Sequence, residues 1–252
     1  VRLLASYDWG LIWEYKWDLV RGLLTALEVA AVALVLSVVV GLLLAVARMS
    51  KPPLSWLAAI YVNVFRGVPA LVSVIWVYFG WSLILGISFT VFQAGVIALV
   101  LLYGAFISEI YRAALQAIPG GQREAGLALG MHRARIFAQV ILPQATKIAI
   151  PNIGSMFIGM IKDTSTFTVI GLLEVVRVTQ NVNSVYFQPF VLYTAAAAMY
   201  VMAAFFFDFV FRSIEKSLTT PPTGGIAKKT TGRRRRRIEL VIKDIEALSG
   251  RT

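Results

Sequence analysis

Residues 119–143 read PGGQREAGLALGMHRARIFAQVILP, a polar and basic interruption set between long apolar stretches. Pro119 closes whatever helix precedes it, because its ring removes a backbone donor, and Gly120 and Gly121 supply permissive backbone. Gln122 to Leu129 then predicts a short helix. Glu124 falls in its first turn, where a carboxylate suits the positive end of the helix dipole. Gly130 suits the position just past its end. Arg133 to Leu142 restarts as a basic helix carrying Ile136, Phe137, Val140 and Ile141, and Pro143 ends it.

The flanks decide what kind of loop this is. The 252 residues are 58% hydrophobic and only 15% charged, with a mean hydropathy of +0.76. Soluble domains carry about a quarter charged residues, so this composition belongs in a bilayer. A net charge of +11 suits nucleic acid in principle, but the base-binding modules are absent and the positive charge sits in membrane-flanking loops and the tail. No nucleic-acid partner is expected; membrane lipid is. The absence of cysteine excludes disulfides, thiolate metal sites and cysteine nucleophiles. The one histidine, His132, reads as a solvated loop residue. No paired carboxylates, Ser/His/Asp set or metal-ligand cluster stands out, so no catalytic residue, metal or cofactor is expected. Gly224 to Thr230 lacks the second glycine and the preceding strand of a phosphate-binding loop.

Five spans are predicted. Leu19–Ala47, containing Glu28, is long enough to cross, since about 20 apolar residues suffice. Val68–Gly86 and Gln93–Gln116 follow, the latter carrying Glu109 and Arg112 at a pairing distance of one helical turn. Lys147–Ile161 is broken by Pro151, Gly154 and Gly159 and runs through Lys162-Asp163-Thr164-Ser165 into the apolar Thr166–Leu173. Pro189–Phe211 is the last, with Asp208 near its end. Between them, Leu54–Phe65 is a short amphipathic piece and Glu174–Gln188 a polar connection.

Basic residues beside membrane ends mark the cytoplasmic side. Arg48 and Lys51, Arg123 to Lys147, and Arg212 with Lys216 lie on one side, whereas the loop near residue 87 has no basic residue. The expected organisation is an external segment at 1–18, rich in interfacial Trp9, Trp13 and Trp17, and a membrane domain at 19–212 with its loop at 119–143. A cytoplasmic basic tail would follow at 213–252. The first residue is Val1 and no cleavable signal pattern follows it, so a trimmed N-terminus stays open. In the tail, Arg233–Arg237 reads as a run held near anionic lipid, and Ile238–Leu248 as one short helix.

Glu124-Ala125-Gly126, then Gly130, then Ile141-Leu142-Pro143 resembles the EAA loop of bacterial ABC importer permeases, with Gly126 where Ala is usual. Phe65-Arg66-Gly67-Val68-Pro69, Ser108-Glu109-Ile110-Tyr111-Arg112, Leu142-Pro143-Gln144-Ala145 and Lys162-Asp163-Thr164-Ser165 with Val169-Ile170-Gly171 are similar to the polar amino acid branch. The resemblance covers roughly Gly22 to Arg212. It implies an all-α membrane protein of the type I ABC importer transmembrane fold, multi-pass in the bacterial cytoplasmic (inner) membrane, N-terminus outside and C-terminus cytoplasmic. It also implies ABC ATPase subunits coupled through Glu124, Ala125, Gly126 and Gly130, a second permease subunit, identical or homologous, and an extracytoplasmic solute-binding protein. The cargo would be an amino acid, and hydrolysis would belong to the ATPase.

Candidate substrate residues come from the broken span. Pro- and Gly-interrupted spans point to binding sites in transporters, and intramembrane charges, each costing about 3 kcal/mol to insert, favour a functional reading. Lys162 and Asp163 could pair with the carboxylate and ammonium of a zwitterion, with Thr164 and Ser165 offering hydrogen bonds. Met156 stands where some cation-specific relatives carry Glu, which points to polar or mixed amino acids. A secondary transporter would need polar residues in several spans and internal repeats. A membrane scaffold would explain the hydropathy but not the Glu-Ala-Gly loop.

Overall fold

The computed structural model describes residues 7–219, and all regular structure among them is helical. A short turn, α1 (Gly10–Glu14), precedes the long α2 (Lys16–Arg48). α2 owes its packing to a stripe of small residues. Gly22, Ala26, Ala30, Ala33, Ser37, Gly41 and Ala45 recur every three or four positions and are all buried. In a bilayer such stripes let backbones approach closely, because apolar bulk alone does not favour protein over lipid. Val35, Val39 and Leu43 lie exposed on another side of α2.

α2 packs chiefly against α6 (Val91–Gln116), the central helix of the fold, while Gly22 near the start of α2 meets the backbone at Glu174 and Val175. The start of α6 is fixed by a capping box: Gln93 N donates to Thr90 Oγ1 and Thr90 N donates to Gln93 Oε1, satisfying two otherwise orphaned donors. Between α2 and α6, α3 (Leu54–Gly67) turns at Pro69 into a helix built of α4 (Ala70–Ile75), a wide π-turn (Trp76–Trp81) and α5 (Ser82–Leu85). The bend there is 109°.

After α6 come the loop helix α7 (Gly120–Ala128) and α8 (Arg133–Ile136). Pro143 was expected to end the basic helix, leaving a separate span from Lys147. Instead α8 passes through a π-turn at Phe137–Ile141 straight into α9 (Leu142–Asp163). Pro143 is accommodated because it sits in the first turn of α9, directly after the widened turn, where a missing donor costs little. Beyond α9 a tight 3-10 segment, Thr164–Ile170, ends at Gly171.

The stretch from Glu174, expected as a connection, folds as α10 (Val175–Tyr186). Glu174 is its N-cap, accepting from Val176 N and Arg177 N at 2.7 and 2.8 Å. The last helix is α11 (Pro189–Thr219). Among the described residues three helices are long and apolar enough to cross a membrane, and counting each bent pair as one span gives five. Residues 216–252 form a separate unit, of which only the end of α11 is described. The Arg233–Arg237 run and the expected helix at 238–248 lie outside the described residues.

Candidate functional site: a cavity with one carboxylate and an exposed loop helix

α6, α9 and the Pro69 bend line an open-mouthed cavity of about 310 Å³, within the usual range of about 300–1,000 Å³ for small-molecule sites. Val68, Pro69, Leu102, Phe106 and Met156 give it largely apolar walls. Asp163, the last residue of α9, brings its only charged side chain. Tyr103 of α6 donates a 3.0 Å hydrogen bond to Asp163 Oδ2, leaving the other carboxylate oxygen for further donors. Gly159 makes this contact possible: a Cβ there would lie 2.7 Å from the Tyr103 hydroxyl.

The five expected substrate residues do not converge. Asp163 and Met156 share this cavity. Lys162 lines a different one, about 440 Å³, with Tyr200, Asp208 and Arg212. Consecutive residues on a helix point about 100° apart, and α9 stays helical through both, so the pair cannot grip one ligand from the same wall. Thr164 is buried and its hydroxyl donates to Ile161 O at 2.7 Å. Ser165 donates to Lys162 O at 2.6 Å, and Thr166 to Asp163 O at 2.7 Å. These three hydroxyls satisfy the orphaned carbonyls where α9 tightens into its 3-10 end.

The loop residues do cluster. α7 begins at Gly120, with the extended Pro119 as its N-cap, so Glu124 sits in the second turn rather than the first. Gly130 has φ +73, and Gly130 N and Met131 N donate to Leu127 O and Gly126 O. This is a Schellman ending, which requires the left-handed residue. Gly126 is the one buried residue of α7; a Cβ on it would lie 2.8 Å from Ile136 Cγ1. The glycine in place of alanine is therefore a packing requirement that draws α8 against α7. Glu124 and Ala125 are exposed, as are Leu127 and Leu129, the last at 80%. His132 caps α8, its Nδ1 accepting from Ala134 N at 3.3 Å.

Sequence reasoning missed Tyr103, because nothing local links it to a residue 60 positions away. The Val68-Pro69 motif carries no local sign that the chain bends there into the cavity wall. Among the described residues no group of three His, Cys, Asp or Glu side chains could hold a metal ion.

Residues 37–220 match the family described as "Binding-protein-dependent transport system inner membrane component". The chain belongs to that family. Curated relatives agree. This membrane component is 33% identical to the glutamine transport system permease protein GlnP of Escherichia coli (strain K12), over 84% of this chain and 98% of the relative. It is 33% identical to the L-cystine transport system permease protein TcyB of Bacillus subtilis (strain 168), over 85% and 92%. A crystal structure described as an amino acid ABC transporter with histidines superposes with a TM-score of 0.77 at 33% identity, covering 84% of this chain and 99% of that one. The membrane component thus has the type I ABC importer transmembrane fold, as the loop at 119–143 led us to expect.

Proposed function

We propose that this membrane component passes amino acids through the cytoplasmic membrane, with Asp163 binding the substrate ammonium in the α6–α9 cavity. The carrying observation is that carboxylate, held by Tyr103 at the edge of an otherwise apolar cavity of amino-acid size. A half-buried carboxylate with one oxygen left open is best satisfied by a cationic donor. Met156 supplies an apolar wall to the same cavity, so a side chain lodged beside it meets no second charge. This favours polar or mixed amino acids over strictly cationic ones. The relatives, named for glutamine and for L-cystine, carry different amino acids and support the class rather than one member. Lys162, Thr164 and Ser165 are not assigned to the ligand.

The component makes and breaks no bonds. We assign ATP hydrolysis to a separate ATPase that docks on α7 through Glu124, Ala125, Leu127 and Leu129. Leucines exposed at 43% and 80% on a polar loop outside the spans favour a partner surface. Gly126 and Gly130 hold the loop in the docking shape. A second permease subunit completes the pathway, and a solute-binding protein delivers cargo from outside. In this arrangement residues 1–18 are external, 19–212 lie in the membrane and 213–252 are cytoplasmic. Uptake of radiolabelled amino acids into proteoliposomes holding this chain with its ATPase and binding protein tests the proposal. It is expected to require ATP and to fall by roughly 10- to 100-fold in Asp163→Asn. Uptake driven by an ion gradient without ATP would point to a secondary transporter instead.

A further inference from the structure

The end of α6 nearest the loop carries a charge cluster that the substrate cavity does not use. Glu109 Oε1 pairs with Nη1 of Arg48, the last residue of α2, and Glu109 Oε2 accepts from Arg112 Nε and Nη2 at 3.0 and 2.7 Å. Arg112 Nη1 donates onward to Gln116 Oε1 at 3.0 Å. The Arg48 and Glu109 side chains are 21% and 19% exposed, a depth at which a charge pair is much less screened than at the surface.

Tyr103, Phe106, Glu109, Arg112 and Gln116 follow one another at three- and four-residue steps, a row that winds about half a turn around α6 on its way down the helix. Its upper end lines the cavity through Tyr103 and Phe106, and its lower end runs into Pro119 and α7. Among the described residues, the ion pair to Arg48 is the one that ties this row to another helix. About two turns above it, Gly41 of α2 lies directly against Ile107 of α6. The contact at Gly41 fixes how close the helices come; the ion pair fixes the rotation of α6 against α2 at the loop end.

We propose that Glu109 is a positioning residue for transport: through Arg48 it registers α6 against α2, so that a push on α7 reaches Tyr103 and Asp163. This rests on the reading above that α7 receives the ATPase. The pair is built to open. If α2 moves away, Glu109 keeps Arg112 and is not left as an unpaired charge, the outcome that makes breaking a buried pair expensive. Arg112 in turn keeps Gln116.

The test uses the whole importer in proteoliposomes, with uptake counted per ATP hydrolysed. Arg48→Gln and Glu109→Asp, whose shorter side chain keeps Arg112 within reach but not Arg48, should each lower uptake per ATP roughly fivefold or more. ATPase co-purification should stay at the level of the unaltered importer. Arg48→Lys should recover most of the ratio, and Arg48→Gln with Glu109→Asp should do no more harm than either change alone, because both break one contact. An unchanged ratio, additive losses, or loss of ATPase association in Glu109→Asp would each overturn the proposal. If instead the unaltered chain shows no ATP-dependent uptake, the assignment of α7 to an ATPase fails rather than the role of Glu109.

Discussion

Tyr103 Oη donates to Asp163 Oδ2 at 3.0 Å, joining the middle of α6 to the end of α9 across 60 residues of sequence. The hydroxyl orients the carboxylate and occupies one oxygen, so under the proposed function a ligand would meet a carboxylate already fixed in place. Asp163→Asn should lower amino acid uptake by roughly 10- to 100-fold, the equivalent of about 1.5–3 kcal/mol for a charge-assisted contact. Tyr103→Phe, which leaves the charge but frees its orientation, should cost less, roughly fivefold from about 1 kcal/mol. Transport assays on both variants, with basal ATP hydrolysis as the control, check the order. Uptake in Asp163→Asn at the original rate and apparent affinity would remove Asp163 from the site.

Gly159 tests the same contact from the other side. An alanine methyl would come within 2.7 Å of the Tyr103 hydroxyl and push it from Asp163. Gly159→Ala should therefore match Tyr103→Phe in transport, and the pair together should be no worse than either alone. A clearly additive double variant would show that the glycine matters for some other reason.

The loop gives a third expectation. Gly130→Val places a β-branched residue at φ +73, a conformation that such side chains resist. It should uncouple ATP hydrolysis from uptake or weaken pull-down of the ATPase. Leu129→Asp changes a side chain that is 80% exposed, so it should spare folding and reduce pull-down alone. Unchanged pull-down and unchanged substrate-stimulated hydrolysis in both variants would sink the docking assignment.

Orientation is open to direct labelling, because the chain has no cysteine of its own. Single cysteines at Ser88 and Ser184 should react with an impermeant thiol reagent added to intact cells, and those at Gln122 and Ser217 should not. The opposite pattern would place α7 outside and end the coupling argument.

A fifth expectation concerns stability. Glu174 is fully buried, caps α10 and accepts a 2.7 Å hydrogen bond from Tyr200 of α11. Tyr200→Phe should lower stability by about 1.5–3 kcal/mol, the range for a hydrogen bond to a charged group. Thermal unfolding of the purified protein in detergent reads the change. A melting temperature equal to that of the unaltered chain would mean that the carboxyl finds another donor.

Much of the loop was legible because its signals are local. Gly130 sits at the helix ending that its sequence position predicts, and Glu109 pairs with Arg112 because one helical turn separates them. The misreadings come from treating prolines and polar residues as stops. Pro143 lies inside a helical run, tolerated beside a widened turn, and the polar stretch after Glu174 is a helix whose cap is a buried carboxylate. Lys162 and Asp163 looked like one site because they are adjacent in sequence, whereas helical geometry sends them into separate cavities.

Hydropathy, basic flanks and the 119–143 loop were enough to determine an all-helical membrane protein with about five spans and an exposed loop helix. Each depends on composition or on residues within a turn or two of each other, where covalent geometry and the 3.6-residue period leave few alternatives. Tertiary structure alone decided that Asp163 meets Tyr103 and that Arg48 meets Glu109. The small-residue stripe of α2 and the glycines at 126 and 159 set how closely helices approach, and that spacing decides which distant polar groups come within hydrogen-bonding reach.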